Sequence, residues 1–200
     1  MISGLILAAG LSSRMGRAKQ LLPLRGRILV QHVVDVASAA ELDEIVVVLG
    51  HSAPEVQGAL RLPPSGRVVV NPEFASGQAS SLRVGLGSLD PRARAAVVLL
   101  GDQPELPPEV IRKTVESYRR TGGLVVRAVY GGTPGHPVVL DRGVWDEVVR
   151  AGEDEGARSA IASHPEWVSA VRFELSPPSE VNTPEDYRGL RDGAPGDRGG

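Results

Sequence analysis

The chain has 200 residues, no cysteine and a net charge of −2, with 22 basic residues against 24 acidic ones. The length suits one domain, the missing cysteines exclude disulfides, zinc–thiolate sites and a cysteine nucleophile, and the near-neutral charge argues against nucleic-acid binding through bulk attraction. Without a signal-peptide pattern or an apolar run of the ~20 residues that span a membrane, we expect a cytoplasmic protein that contacts no membrane.

The first distinctive feature is a short aliphatic strand that leads into a polar, basic loop. Residues 5–7 predict a buried parallel strand. The loop after it contains Gly10, Ser12, Ser13, Arg14, Gly16, Arg17 and Lys19. Glycines let backbone N–H groups face a ligand, and basic side chains supply the charge that a polyphosphate needs. The loop fits a phosphate-binding site, although an ordinary strand-to-helix connection can have the same composition.

The loop matches neither G-x-G-x-x-G nor G-x-x-x-x-G-K-[ST], the two common nucleotide-binding patterns. Lysine is rare in this chain, because only Lys19 and Lys113 occur among the 22 basic residues. A lysine inside the loop therefore favours a phosphate-binding role over an incidental one.

Strands and helices alternate after this loop. Periodicity and turn residues predict helices over 28–40, 54–60, 107–121 and 143–151, helices that begin at 78 and 184, and a helix that continues through 161. They predict strands over 44–49, 68–70, 95–100, 124–129 and 168–174, and a further strand that ends at 140. This order predicts βαβ units and a parallel sheet whose ligands bind beyond the carboxyl ends of the strands. Residues 1–191 form one predicted domain, and residues 192–200 are too poor in apolar residues to fold, which predicts a disordered tail.

Two strand ends carry residues that can contact a nucleotide or a metal ion. Gly77, Ser80 and Ser81 stand at the start of a predicted helix, where amides and hydroxyls can contact a base, although serine there is usually a cap. Asp102 follows Gly101 at the end of the predicted central strand. An aspartate there can hold Mg²⁺ against substrate phosphates, or it can open a turn.

Two later segments carry further candidate functional residues. Residues 130–140 predict a glycine-rich loop followed by a strand, and His136 lies in that loop between Gly135 and Pro137. A lone histidine is weak evidence for catalysis, and as often it caps a turn. Arg158 lies near a predicted helix start and can bind a phosphate, although an acidic loop followed by a helix needs no function.

The segment 7–19, LAAGLSSRMGRAK, resembles the LAAGxSxRMGxxK motif of nucleotidyltransferases related to the molybdenum cofactor guanylyl- and cytidylyltransferases. Its LAAG form is similar to the cytidylyl branch, and Gln103 in the GDQP segment is characteristic of that branch. The resemblance implies a three-layer α/β/α Rossmann-like fold with a mostly parallel sheet, of the nucleotide-diphospho-sugar transferase (GT-A-like) type. It also implies an N-terminal half that binds the nucleotide and a C-terminal half that binds the acceptor.

The resemblance assigns roles to the residues that match the motifs. The implied catalytic residues are Arg14, Lys19 and Asp102. The implied nucleotide-binding residues are Leu7, Ala8, Ala9, Gly10, Ser12, Ser13, Arg14, Gly16, Lys19, Gly77, Ser80, Ser81 and Gly101. The implied metal ligands are Asp102 and Asn182, and the implied acceptor-binding residues are Gly135, His136, Pro137 and Arg158.

Asn182 departs from the pattern of the family. The family motif D-x-D-T-P-E-D has an aspartate as the second metal ligand, where this chain has Asn182. The amide oxygen of asparagine can still bind Mg²⁺, but one negative charge is lost. We therefore expect weaker metal binding.

The implied activity is Mg²⁺-dependent transfer of CMP from CTP to a molybdopterin-type phosphorylated acceptor, with release of pyrophosphate and transient contact with a molybdoenzyme. GTP as donor, or a sugar phosphate or another small phosphorylated acceptor, stays open. A non-catalytic carrier of the molybdenum cofactor is a second class of function. A nicotinamide-dependent oxidoreductase, a label attached to some close relatives, is a third, although the Rossmann fingerprint is missing.

Overall fold

A seven-stranded, mostly parallel sheet forms the middle layer of the protein. The computed structural model describes residues 1–150 and 157–193, with the strands β1 (Ile2–Ala8), β2 (Pro23–Leu24), β3 (Arg27–Ile28), β4 (Glu44–Leu49), β5 (Gly66–Val70), β6 (Ala95–Leu100), β7 (Val125–Tyr130), β8 (Thr133–Asp141) and β9 (Val168–Phe173). Strands β2 and β3 pair as a separate hairpin, and the others lie in the order β5-β4-β1-β6-β8-β7-β9. Strand β8 is antiparallel to β6 and β7, and the remaining pairs are parallel.

Helices cover both faces of this sheet. They are α1 (Leu29–Ala39), α2 (Ala53–Ala59), α3 (Gln78–Ser88), α4 (Pro108–Thr121), α5 (Trp145–Arg150), α6 (Ala157–Ser163) and α7 (Pro184–Asp192). Helices α1, α2 and α4 pack on one face through buried residues such as Val34 and Ile111. Helices α3, α5 and α6 pack on the other through residues such as Leu86 and Val148. The predicted three-layer α/β/α fold is confirmed.

The start of α7 follows from its capping residues. The Thr183 hydroxyl accepts from the backbone N–H of Asp186, and the Asp186 carboxylate accepts from the backbone N–H of Thr183. This capping box, with Pro184 in the first position, confirms the predicted helix start. It also fixes the chain immediately after Asn182.

The strands lie close to their predicted positions. Strand β6 occupies residues 95–100 and is the fourth of seven in the sheet, as predicted for a central strand. Strand β1 begins at Ile2, three residues before the predicted start. Ser3 tolerates burial in this strand because its hydroxyl donates to Glu44 Oε2 at 2.8 Å.

The segment around His136 differs from the prediction, which placed this histidine in a glycine-rich loop. The turn is limited to Gly131 and Gly132, which have φ values of 51° and 92°, and β8 begins at Thr133. Two positive φ values suit a tight hairpin turn, so β7 and β8 pair directly. His136 therefore lies within a strand, and a register shift in the pairing with β7 leaves it at an irregular stretch.

Parts of two predictions lie outside the described residues. These are residues 151–156, which include the end of the predicted helix 143–151 and the acidic loop before Arg158, and residues 194–200 of the predicted tail. Helix α7 reaches Asp192, so the first residue of the predicted tail is helical. In the described part of the chain, none of the helices has the length and apolar character needed to cross a membrane.

Helix α3 lies close to the sheet at Gly85. A Cβ atom at this position would lie 2.5 Å from Leu5 Cδ1 and 3.0 Å from Val48 Cγ2. A Cβ atom on Gly87 of the same helix would meet nothing within 4 Å. The missing side chain of Gly85 thus sets the height of α3 above β1 and β4.

Substitution of these two glycines tests this packing. We expect Gly85→Ala to destabilise the protein by about 1–3 kcal/mol, because the added methyl group overlaps Leu5 and Val48. The matched control Gly87→Ala should be neutral or stabilise the protein by up to about 1 kcal/mol, because alanine favours a helix. Urea denaturation measures both, and equal stability of the two variants would contradict the close approach of α3.

Candidate active site

A large cleft opens at the carboxyl ends of β1 and β6, where ligands bind in parallel α/β sheets. Its volume is about 1340 Å³, and it continues from the loop after β1 past the loop after β6 to β8. The predicted site residues that line it are Leu7, Ala8, Ala9, Gly10, Lys19, Gly77, Ser81, Gly101, Asp102, Gly135, His136 and Arg158. Those that lie outside its lining are Ser12, Ser13, Arg14, Gly16, Ser80, Pro137 and Asn182.

The buried side chain of Gln20 holds the loop after β1 in place. Gln20 Nε2 donates to the carbonyl oxygen of Ala8 at 2.8 Å and to that of Gly10 at 3.2 Å. The Ser12 hydroxyl accepts from the backbone N–H of Lys19 at 3.1 Å. These bonds close the loop on itself, so that Lys19 is presented to the cleft. Gln20 was not among the predicted site residues, although its place directly before the apolar segment 21–24 was an available signal.

The tip of this loop borders the start of α7 rather than the cleft. Ser13, Arg14 and Gly16 are exposed. Hydrogen bonds from Asn182 and Thr183 lower the pKa of the Asp186 carboxyl, and the positive charge of Arg14 adds to this effect. Arg14 therefore contributes its charge at the outer rim of the site.

Three side chains from distant segments meet at the edge of the cleft. Lys19 Nζ lies 2.6 Å from Asp102 Oδ2 and 2.9 Å from Asn182 Oδ1. The backbone N–H of Val181 donates to the Asp102 carbonyl oxygen at 3.0 Å, which ties the two later segments together. Lys19, Asp102 and Asn182, which the sequence placed in separate loops, thus form one cluster.

This cluster has oxygen donors that suit a divalent cation. Asp102 Oδ2 and Asn182 Oδ1 converge on one ammonium group. Asp102 Oδ1 is buried and has no hydrogen-bond partner among the described residues. Within residues 1–150 and 157–193, no group of three or more His, Cys, Asp or Glu could hold a metal ion. Mg²⁺ needs only one or two protein ligands when substrate phosphates complete its coordination, so the donor set fits it.

Glu180, which the sequence analysis missed, orients Asn182. Glu180 Oε2 accepts from Asn182 Nδ2 at 3.1 Å, which turns the amide oxygen toward Lys19. Glu180 Oε1 accepts from Gln103 Nε2 at 3.1 Å, beside Asp102. Residues two apart in an extended segment point to the same side, so an acidic residue two positions before Asn182 was an available signal.

Asn71, also missed, fixes the serines of α3 on the other side of the cleft. Asn71 Nδ2 donates to Ser80 Oγ at 2.8 Å and to Ser81 Oγ at 3.0 Å. Ser80 Oγ donates to the Gly77 carbonyl oxygen at 2.8 Å, so this hydroxyl is used within the protein. Gly77 has φ of 107°, a conformation that favours glycine. Ser81 and Gly77 face the cleft, and Ser80 supports the turn that presents them.

Comparison with known proteins identifies the family. The model of the MobA-like NTP transferase domain matches residues 4–168. The chain belongs to this family. It is therefore a nucleotidyltransferase with the α/β fold of that group.

The relatives of this MobA-like chain carry different names. Nicotine blue oxidoreductase from Paenarthrobacter nicotinovorans is 33% identical over 194 residues, which cover 92% of this chain and 91% of that protein. The structure of Rv0371c from Mycobacterium tuberculosis is 34% identical with a TM-score of 0.85, over 96% of this chain and 98% of that one. Rv0371c in complex with manganese is 31% identical with a TM-score of 0.81, over 96% and 99% of the two chains. A nucleotidyl transferase from Methanothermobacter thermautotroptrophicus is 25% identical with a TM-score of 0.80, over 96% of each chain.

In this MobA-like domain, the irregular stretch of β8 forms the C-terminal half of the cleft. Gly135 lies against the ring of Tyr130, where an added Cβ atom would be 2.9 Å from a ring carbon. The Tyr130 hydroxyl donates to the carbonyl oxygen of His136. Tyr130, which the sequence analysis did not single out, thus holds the backbone at His136. The irregular stretch and Arg158 together border the side of the cleft opposite the loop after β1.

His136 of this MobA-like chain is neutral at pH 7. Burial, with a smaller effect of the Arg158 charge, lowers the pKa of His136 to about 4 against the opposing effect of Asp102. The neutral ring offers one N–H donor and one nitrogen acceptor. A group with this pKa suits binding better than proton transfer near neutral pH.

The lowered pKa of His136 predicts that stability depends on pH. Between pH ~6.5 and ~4, His136 binds a proton in the unfolded state, where its pKa is ~6.5, but stays unprotonated in the folded state. The folded protein therefore loses stability as pH falls through this range. We expect His136→Gln to lose less stability than the wild type over this range, by on the order of 2 kcal/mol. Urea denaturation at a series of pH values measures the difference, and an NMR titration that gives a pKa of 6.5 or above would contradict it.

Proposed function

We propose that the protein transfers CMP from CTP to a phosphorylated acceptor of the molybdopterin type and releases pyrophosphate. A phosphate oxygen of the acceptor attacks the α-phosphorus in line. The new P–O bond forms as the bond between the α-phosphorus and the oxygen that leads to the β-phosphate breaks. The observation that carries the proposal is the convergence of Lys19, Asp102 and Asn182 between the loop after β1 and the irregular stretch of β8.

The N-terminal half of the cleft would bind CTP. Backbone N–H groups of the loop 10–16 and the Arg14 side chain would hold the β- and γ-phosphates, and Lys19 would contact the α-phosphate. Gly77 and Ser81 would contact the base. Support for the roles of Lys19, Gly77 and Ser81 comes from their positions in the lining of the same cleft.

Asp102 and Asn182 would hold Mg²⁺, with Glu180 keeping the amide oxygen of Asn182 in place. A cation bound there would neutralise the charge of the phosphates. The manganese complex of the related Rv0371c supports a divalent metal in this group of proteins. Asp102 Oδ1, which has no partner in the described part of the chain, offers a further oxygen on the same side chain.

The C-terminal half of the cleft would bind the acceptor. Arg158 would bind its phosphate, and His136, with Gly135 and Pro137, would orient it. An acceptor phosphate is already anionic near neutral pH, so no general base is needed. The protein then contributes mainly positioning and charge neutralisation.

The choice of CTP and of a molybdopterin-type acceptor rests on the resemblance to the cytidylyl branch. GTP as donor, or a sugar phosphate or other small phosphorylated acceptor, is the alternative. Pyrophosphate release from CTP, GTP and UTP, each with and without molybdopterin, tests the choice. Fastest release with CTP and molybdopterin supports the proposal, and tight pterin binding without pyrophosphate release would indicate a carrier. Under the proposal, the product passes to a molybdoenzyme through a transient contact.

An oxidoreductase activity is a second candidate, because a relative that is 33% identical over nearly the whole chain is named nicotine blue oxidoreductase. An absorbance assay of NADPH consumption with nicotine blue tests it directly. Turnover of NADPH by the wild type without any pyrophosphate release would favour this candidate.

Lys19 tests the assignment of the phosphate site. We expect Lys19→Ala to lower the transfer rate on the order of 10²-fold or more, because one charged contact to the reacting phosphates is lost. Lys113→Ala is the matched control, since Lys113 is the other lysine of the chain and lies exposed on α4. Steady-state pyrophosphate release measures both variants. A Lys19→Ala variant with near-wild-type turnover would refute the assignment.

Asn182 tests the metal site. We expect Asn182→Asp to bind Mg²⁺ and Mn²⁺ more tightly than the wild type, because it restores a negative charge beside Asp102. Calorimetric titration of the metal ions and the metal dependence of turnover measure the effect. If both are indistinguishable from wild type, Asn182 does not bind the metal.

A further inference from the structure

The cleft continues beyond the proposed acceptor phosphate site along the face of the sheet. Its inner wall includes Val98, Val138, Arg127 and Ala170, opposite helix α6. Val98 pairs with Val138, Val138 with Arg127, and Arg127 with Ala170. The four residues therefore form one row across β6, β8, β7 and β9. Arg127 is the charged member of a row of aliphatic residues.

The guanidinium of Arg127 lacks a counter-charge within the described chain. Its Nε is buried and has no hydrogen-bond partner among the residues that the structure describes. None of the ion pairs formed within residues 1–150 and 157–193 includes Arg127. A buried donor without a partner costs folding free energy, so such a group in a cleft indicates a contact with a ligand.

The other unpartnered groups support this interpretation. In the same described residues, Asp102 Oδ1 and Gln103 Oε1 are the remaining buried side-chain atoms without a partner, and both residues line the same cleft. The unsatisfied polar groups are thus confined to one place, rather than scattered through the core. Asp102 belongs to the proposed reacting end, and Arg127 stands at the inner end.

Nothing in the fold requires arginine at this position. Val125 and Val129 lie two residues before and after Arg127 on the same face of β7, and both are buried valines. An aliphatic residue in place of Arg127 would continue this pattern.

Sheet geometry separates Arg127 from the reacting end. Asp102 lies four residues beyond Val98 in sequence, and Arg127 lies two strands across from Val98. With ~3.3 Å per residue and ~4.8 Å between strands, the Cα atoms of Asp102 and Arg127 are on the order of 16 Å apart. A molecule that reaches both side chains must be extended.

We propose that Arg127 recognises the end of the acceptor farthest from the reacting phosphate, and that this end is a planar group with two adjacent hydrogen-bond acceptors. The inference rests on the proposed transfer to a phosphorylated acceptor. Arginine donates two parallel bonds to such a group, through Nε and one terminal nitrogen. A carboxylate and the oxygen–nitrogen edge of a fused heterocycle both have this chemistry, and the aliphatic neighbours of Arg127 suit the flat faces of the ligand. Arg127 thereby selects the acceptor without touching the reacting atoms.

Two small probes without phosphate test this role in the full chain. 6-Hydroxymethylpterin presents the heterocycle edge, and benzoate presents the carboxylate. We expect one of them to bind the wild type in calorimetric titrations without nucleotide, and Arg127→Met to bind it at least ~10-fold more weakly, because both donors are lost. The matched control Arg119→Met, exposed on α4, should bind as the wild type does. The thermal midpoint of Arg127→Met should not fall, because the variant removes an unpartnered buried donor.

Several outcomes would overturn the inference. These are equal probe binding by the wild type and Arg127→Met, and no binding of either probe by the wild type at millimolar concentration. If Arg127→Met lowers the thermal midpoint, Arg127→Lys becomes the test of the inference, because this variant keeps the charge and loses the paired donors. It should retain the wild-type midpoint and bind the probe at least ~10-fold more weakly, and unchanged binding would overturn the inference.

The same experiments separate this inference from the proposed function. Probe binding through Arg127 by a protein that releases no pyrophosphate would contradict the proposed transfer and retain Arg127 as a ligand-binding residue. Pyrophosphate release with an unchanged KM for the acceptor in Arg127→Met would overturn the role of Arg127 alone. A raised KM with an unchanged kcat supports recognition of the acceptor away from the reacting atoms.

Discussion

The contact between Lys19 and Asp102 is the interaction on which the candidate site depends. The two side chains are 83 residues apart in sequence, and Asn182 joins them from 163 residues beyond Lys19. They meet because β1 and β6 are adjacent parallel strands that end at the same edge of the sheet. The pair is partly buried, so loss of either partner would leave the other charge poorly solvated. The sheet therefore holds a fixed, charged point where the two halves of the cleft join.

The antiparallel direction of β8 completes the site. In a parallel strand, the beginning of β8 would lie at the opposite edge of the sheet from Asp102. Because β8 runs the other way, with Val138 paired to Val98, its first residues lie beside the carboxyl end of β6. The short turn at Gly131 and Gly132 makes this reversal possible. One reversed strand thus brings the irregular stretch with His136 opposite the loop after β1.

The candidate site was accessible from the sequence where a functional residue directly follows an aliphatic strand. Lys19 and Asp102 could be found in this way, because each lies in the loop after a buried run. Gln20 could be noticed only by its place before an apolar segment. Neither its role nor that of Asn71 could be predicted, because both roles are hydrogen bonds to a carbonyl oxygen or a hydroxyl 9 to 12 residues away, which no spacing rule gives. The error at His136 has a similar cause, since paired glycines fit both an open loop and a tight hairpin turn.

The unsatisfied polar groups of the cleft connect stability with ligand binding. Asp102 Oδ1 and Arg127 Nε are buried without partners among the described residues, and they lie on different strands or strand ends. Each costs folding free energy until a ligand supplies the missing partner. Contributions to stability from sites more than about 7–10 Å apart are usually additive. Under the proposed function, the metal–nucleotide complex would satisfy Asp102 and the acceptor would satisfy Arg127, so each substrate stabilises the fold separately. The two then depend on each other where the reacting phosphates meet, beside Lys19, Asp102 and Asn182.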